Sequence, residues 1–505
     1  MSAIKIGWAK RDISTNEPVN INGQMYLRIS EGIHDPITVT ALVLDGGDPK
    51  NAAIFVSCDV TGFYGSPIKP ALEKIAAANP QIPTNNIVLN ATHTHSSTAL
   101  YKTAERSPDG KKIYPGEAYL EFFTDMVCQA VCEAWDTRAE GGIAYGYGYA
   151  VAGHSRRTIY TEDQSVANPT AVAPNGHGVM YGNTRKDTFS HYEAGADHFL
   201  NVMFTVDENK KLTGMIINVP CPSQTSEHFT KLSADYWNEV REEVAKEFGP
   251  DVFILPQCAA AGDLAPRILH YQKAQARRME LKYGLAYDFK STDRSGPNYY
   301  NKVMAERRDI AERILLGVKD IYSWAMAEIL TDVPVRHIGA SVPLTRRKIT
   351  DEEKKWCEEN IAAMESLVPD PADSTPEEYR IAMTRFQSVR GRNNTALKRY
   401  EELKENPQAN YEIHVTQVGP IAFASNPFEL YQDFMHRIQA RSPFIQTFIT
   451  QLASGAGAYL PTVRGAANKG YSASIFCNQV GPEGGQELVE YTLKTLNELK
   501  YEHKD

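Results

Sequence analysis

The stretch Ile87-Val88-Leu89-Asn90-Ala91-Thr92-His93-Thr94-His95-Ser96 decides how this chain is read. A short, mostly apolar run that ends in a polar turn is the pattern of a buried strand, and α/β proteins place their sites at the carboxyl ends of such strands. Here that end carries two imidazoles. Upstream, Thr38 to Leu44 and Ala53 to Ser57 read as further strands, with Pro67 to Ala78 as a helix. Downstream, Tyr119, Phe123, Val127, Ala130, Val131 and Ala134 recur at helical spacing. The alternation predicts an α/β fold of mixed sheets layered with helices. Cys128 and Cys132 lie one turn apart on that helix and read as core or boundary residues, since no other metal donors accompany them.

From Ala152 to Ala196 periodicity gives way to a polar, Gly- and Asn-rich stretch too long for an ordinary connection, which predicts functional loops. A strand from Gly214 to Val219, a helix from Ala234 to Phe248 and a strand from Val252 to Leu255 follow. A polar, Tyr- and Arg-rich insertion then occupies about 267–330 and ends in a helix carrying Ile310, Ile314, Val318, Ile321 and Ala325 on one face. Two charged helices are expected in 350–406, broken at Val368-Pro369-Asp370-Pro371, with their charges facing solvent. Strands return at Tyr411 to Val418, Ile421 to Ala424 and Phe444 to Leu452. A last helix carries Leu488, Val489, Leu493, Leu496 and Leu499. With no internal repeat and no low-complexity linker, residues 1–505 read as a single large domain.

Composition narrows the function. The chain has 505 residues, with 53 Lys and Arg against 62 Asp and Glu for a formal net charge of -9. An acidic balance without a basic stripe argues against nucleic acid as a partner. No stretch has the apolar length of a membrane span, and Met1 to Gly7 does not open a signal peptide, so no stable membrane association is expected. Seven cysteines without a CxxC pair fit free thiols in a reducing compartment, with the cytoplasm as the default location.

Two clusters carry chemistry. His93 and His95, at i and i+2 past a strand, suit either a metal or catalytic role or a pair of hydrogen-bonded loop histidines. Gln257-Cys258-Ala259-Ala260-Ala261-Gly262-Asp263-Leu264-Ala265-Pro266-Arg267 also follows a strand. Its small residues admit close backbone approach, and Asp263 can orient a donor or simply cap a helix.

Taken in order, several segments resemble the neutral, non-lysosomal ceramidase family of zinc amidases. They are Gly7-Trp8-Ala9-Lys10-Arg11-Asp12-Ile13, Gly32-Ile33-His34-Asp35-Pro36, Val56-Ser57-Cys58-Asp59, Ser155-Arg156-Arg157, Leu232-Ser233-Ala234-Asp235-Tyr236 and Ala261-Gly262-Asp263-Leu264-Ala265-Pro266. Ala91-Thr92-His93-Thr94-His95-Ser96 is close to the family's Ala-Thr-His-Thr-His-Ser-Gly hallmark. Asn426-Pro427-Phe428-Glu429 and Ala458-Tyr459-Leu460-Pro461-Thr462 resemble the elements supplying its zinc-binding glutamate and tyrosine, and Tyr471 keeps the spacing of a second site tyrosine. The ordered set covers nearly the whole chain.

The resemblance implies Zn2+ held by His93, Glu429 and Tyr459, with His95, Tyr471 and Arg156 binding or polarising the substrate carbonyl. Asp263 is expected to serve the chemistry, and Arg157, Arg267 and His34 to contact the substrate. Three departures stand out. The family's second zinc histidine is absent from Pro220-Cys221-Pro222-Ser223-Gln224-Thr225-Ser226-Glu227-His228, so His228 reaches in, Cys221 binds as thiolate, or zinc binds weakly or not at all; His228 is the expected ligand. Ala265 stands where the family has a serine, which closes an acyl-serine route there. The chain also ends soon after Leu499, without room for the family's immunoglobulin-like C-terminal domain.

The expectation is therefore a zinc-dependent hydrolase that cleaves an amide or related acyl bond by direct attack of metal-bound water. Basic and tyrosine residues of the 267–330 insertion, if they cover the site, favour a soluble, polar or anionic substrate. A carbohydrate-active enzyme acting on an acidic or acylated sugar, and a metal-free binding protein, are the alternatives. The expected partner is a small-molecule substrate, with self-association left open.

Overall fold

A computed structural model describes residues 3–501; Met1 and Ser2, which open the stretch read for a leader, and residues 502–505 lie outside the described residues. Eight strands form the main sheet, in the order Phe253–Cys258, Leu212–Val219, Phe199–Asp207, Ala139–Tyr149, Lys5–Asp12, Thr38–Asp45, Ala53–Cys58 and Ile87–Ala91. Its centre is antiparallel, and at each edge a parallel pair is closed by a helical crossover: Ile68–Ala78 on one side and Tyr236–Phe248 on the other. The two edges come together, since Ser57 Oγ (2.6 Å) and Asn90 Nδ2 (3.0 Å) both donate to the carbonyl of Pro256. The loops that follow strands 87–91 and 212–219 therefore emerge side by side.

A second sheet has the order Val335–Thr345, Gln408–Val418, Ile421–Ser425 and Gln446–Thr450. Its inner face meets the main sheet through Val418, Ile421, Phe423 and Phe448 against Ile6, Trp8, Leu42, Phe55 and Leu255. Helices cover both outer faces. Gly116–Asp136 and Gly296–Ala325 pack on the main sheet, whereas Gln432–Arg441 and Pro482–Tyr501 pack on the second. Burying these faces drives the layering, at roughly 25 cal/mol per Å² of apolar surface. The result is a four-layer α/β fold of mixed sheets between helices.

Three long strands go beyond the sequence expectation: Ala139–Tyr149, Phe199–Asp207 and Val335–Thr345. The first holds four glycines, which depress strand propensity but let the helix Gly296–Ala325 approach closely. A Cβ at Gly146 would stand 2.3 Å from the Trp324 ring. The 267–330 insertion contributes this helix and Gln272–Tyr283. Residues 350–406 form Asp351–Met364 and Pro376–Glu402, each opened by a threonine capping box. All seven cysteines are free thiols, and no described helix is long and apolar enough to cross a membrane.

Candidate active site

The loop after strand Ile87–Ala91 is held by backbone bonds from Thr92 N to Cys58 O (3.0 Å) and His93 N to Val60 O (3.0 Å), and His93 itself takes a left-handed φ of 65°. That conformation is costly for a histidine and persists where the surroundings over-determine it. The loop after strand Leu212–Val219 is laced to it: Ser223 Oγ donates to Thr92 O, Ser96 Oγ to Ser226 O, and Thr94 Oγ1 to Ser233 O. A third contribution comes from two three-residue strands, Phe428–Leu430 and Ala458–Leu460, whose parallel register sets Glu429 opposite Tyr459.

These elements converge on a cavity of about 400 Å³. His93 Nδ1 donates to the carbonyl of Thr61 (2.6 Å), which leaves Nε2 bare in the neutral ring, 3.4 Å from Glu429 Oε2 and 3.2 Å from His95 Nε2. Gln224 explains the state of His95. Its Oε1 accepts from Arg156 Nη1 (3.2 Å) and Tyr181 Oη (3.3 Å), so its amide group must donate to His95 Nε2 (2.8 Å). Burial first, and then His93, push His95 well below the ordinary histidine value, so the ring is neutral with its proton on Nδ1. Nδ1 has no hydrogen-bond partner; it faces Glu227 Oε2 at 3.8 Å.

The bare His93 Nε2 thus faces the Glu429 carboxylate, with His95 Nε2, already engaged by Gln224, beside it. Burial pushes the Glu429 carboxyl up, but His93, Arg156 and a hydrogen bond from Tyr459 outweigh it and hold the group below the ordinary glutamate value. Tyr459 and Tyr471 are both pushed up, chiefly by burial, and stay protonated at neutral pH. His93, Glu429 and Tyr459 present one nitrogen and two oxygen donors to the cavity. The fourth donor implied by the resemblance is missing. Among the described residues, no three His, Cys, Asp or Glu side chains form a group that could hold a metal ion.

The candidates for that fourth place lie elsewhere. His228 Nδ1 bonds Tyr26 Oη (3.1 Å), and its ring lines a separate cavity, one carboxylate removed from His95 through Glu227. Cys221 is buried, with its Sγ 3.6 Å from Pro222 O and its own carbonyl bonded by Tyr236 and Cys258. Gln224 is the residue of this loop whose side chain hydrogen-bonds the His95 ring.

Other expected site residues turn away from the cavity. Arg156 is fully buried and engaged with Gly262 O (2.8 Å), Tyr459 Oη (3.2 Å) and Gln224. Arg157 forms a buried bidentate pair with Glu193 (2.6 and 2.9 Å). Arg267 pairs with Glu227 and donates to Gln224 O (3.3 Å). His34 packs edge-on against Phe229 and Tyr300. Asp263 accepts from the backbone and side chain of Gln432, and burial raises its carboxyl to about 6. The helical insertion does not cover the site either. The cavity wall is completed by Asn22 to Met25, Tyr64, Tyr101, Phe476, and Ser388 and Arg392 of helix Pro376–Glu402.

No family model matches the sequence, and no curated protein matches it significantly. Solved structures do match. The neutral ceramidase from Pseudomonas aeruginosa superposes with a TM-score of 0.66 at 16% identity, over 99% of this chain and 75% of that one. A ceramidase complexed with C2 gives a TM-score of 0.64 at 15% identity, over 99% of this chain and 76% of its own. The fold of this chain is that of a neutral ceramidase-like domain.

Proposed function

We propose that the chain is a hydrolase that cleaves an amide or related acyl bond of a small polar substrate in the cavity around His93, Glu429 and Tyr459. The observation that carries this reading is the convergence of a bare imidazole nitrogen, a carboxylate and a phenol on one cavity of a neutral ceramidase-like fold. Zn2+ held by His93, Glu429 and Tyr459 would supply a Lewis acid and a bound water of lowered pKa.

The chain's own groups have distinct parts. The Thr61 carbonyl holds the His93 tautomer. Tyr471 accepts from Arg392 Nη2 (3.4 Å), so its own O–H is free to donate to a carbonyl oxygen that gains charge. Because His95 Nε2 already accepts from Gln224, the neutral ring has no proton to offer there. Oxyanion stabilisation falls to Tyr471, since Tyr459 gives its O–H to Glu429 and is held in place by Arg156. Ala265 is buried beside Asp263 and has no nucleophilic atom, which favours direct attack by water over an acyl-serine intermediate.

The test pairs metal analysis with a substrate panel. Purified protein dialysed against trace zinc should carry about one equivalent and hydrolyse members of a set of short N-acyl compounds. His93→Ala and Glu429→Ala should lose metal and rate together. Stoichiometric metal without turnover on N-acyl compounds, but with turnover on acidic or acylated sugars, would move the chemistry to carbohydrate. Neither metal nor turnover would leave a binding protein.

A further inference from the structure

We propose that the substrate carries an oxyanion, a carboxylate or a phosphate, that is bound by Arg392; this rests on the reading of the cavity as an active site. Among the other arginines around the site, Arg28 donates to the carbonyls of Asn22, His95 and Phe229, and Arg156, Arg157 and Arg267 are each offset by a carboxylate. Arg156 has Glu429 at 4.0 Å, Arg157 has Glu193 at 2.6 Å, and Arg267 has Glu227. Arg392 differs. Among the described residues no carboxylate pairs with it, and its contacts are Val172 O (3.3 Å), Tyr471 Oη (3.4 Å) and Cys477 Sγ (4.0 Å), all long and neutral.

Its position gives the unpaired charge a purpose. Arg392 and Glu429 are the two Asp, Glu, Lys or Arg residues lining the cavity, and Glu429 is turned to His93 and Arg156. The remaining wall is neutral: Asn22, Gln24, Tyr64, Tyr101 and Ser388 offer hydrogen bonds, and none supplies a counter-charge. Beyond Arg392 a smaller cavity of about 210 Å³ shares Ser388, Arg392 and Phe476 with the first and extends to Arg399. Among the described residues Arg399 likewise pairs with no carboxylate and its Nε has no acceptor; it donates to Ile475 O (2.6 Å). Arg392 and Arg399 are seven residues apart, two turns of one helix, so both lie on the face toward these cavities. A planar guanidinium matches a carboxylate or phosphate fork, and burial strengthens the pair. An acyl compound whose carbonyl reaches Tyr471 would thus place its anionic end toward the helix.

Calorimetry on the full chain, with matched probes, tests this. N-acetylglycine is compared with N-acetylglycinamide, and the phosphate ester of N-acetylethanolamine with N-acetylethanolamine. The wild type should bind at least one anion about 10- to 100-fold more tightly than its neutral partner, the size of a charged hydrogen-bonded contact. Which pair shows the larger ratio separates carboxylate from phosphate. Arg392→Gln should erase the ratio, and Arg392→Lys should retain part of it, at an unchanged melting temperature. Should Arg392→Gln not fold, the wild-type ratio and the Lys variant still decide. Equal binding of anion and neutral partner by the wild type, or a ratio that survives in folded Arg392→Gln, overturns the proposal. Charge-selective binding without hydrolysis would instead remove the hydrolase reading and leave the anion site, whereas equal hydrolysis and equal binding of neutral partners would do the reverse.

Discussion

One added methyl group tests the geometry around His95. Gly23 sits at φ 105°, and a Cβ there would stand 2.5 Å from His95 Cγ and 2.7 Å from Nδ1. Carbon contacts relax near 3.5 Å, so in Gly23→Ala the ring must retreat by about 1 Å. A shift of that size pulls Nε2 off Gln224, now at 2.8 Å, and out of its 3.2 Å approach to His93. The positive φ adds its own cost for alanine, about 1–3 kcal/mol. Gly32 separates the two effects, because it has a similar φ of 117° with nothing within 4 Å of its Cβ position. Gly32→Ala should pay only the backbone cost and keep its rate. Gly23→Ala should melt lower still, by a further ~1–3 kcal/mol of overpacking, and lose about 10²-fold in kcat/KM, as expected for a 1 Å misplacement. If the two variants match in both melting and rate, His95 is not held as described.

Arg157→Met should cost about 3–5 kcal/mol by leaving Glu193 buried without its partner, read as a fall in the denaturant midpoint. A tenfold rise in KM at full stability would instead return Arg157 to the substrate. Asp263, raised to about 6 by burial, binds more protons folded than unfolded, so the stability it contributes is complete at low pH and is lost as pH rises through about 6. Asp263→Asn should remove up to about 3 kcal/mol of that slope between pH 4 and 7, measured by urea titrations at each pH; an unchanged slope would show that the carboxyl ionises normally. His228→Ala and Cys221→Ala should each leave the zinc content as it was, and loss of metal from either would expose a donor that this arrangement does not use.

The sequence pattern was most legible where apolar runs were uninterrupted. Ile87–Ala91 matches residue for residue, and the crossover helices and strands on both edges fall within two residues of expectation at most ends. Ala139–Tyr149 escaped because its glycines answer to a helix packed across the strand, a partner more than 170 residues away in the chain. Val335–Thr345 mixes glycine, proline and polar residues and lies largely between buried and exposed, so its alternation is weak. At the site, the His-x-His turn was visible, and the resemblance brought in Glu429 and Tyr459. Gln224 and Arg392 were not. A glutamine amide acquires meaning only from what stands on either side of it, and Arg392 sits in a charged helix whose sequence reads as a solvated face. The same limit applied to Arg157 and Arg267, whose neutralising glutamates could not be inferred from spacing.

The pairing of Phe428–Leu430 with Ala458–Leu460 constrains how this protein can change. Between these three-residue strands the chain makes an excursion through a helix and a strand of the second sheet. Insertions in that excursion leave the ladder untouched, so its surface turns are free to vary in length. A single-residue deletion inside either short strand is different in kind, since side chains alternate faces along a strand. It would turn Glu429 or Tyr459 to the opposite side and carry the buried Phe428, Leu430 or Leu460 out of the core with it. Stability and chemistry would be lost together, which makes these six positions a frame that length variation in related chains must respect.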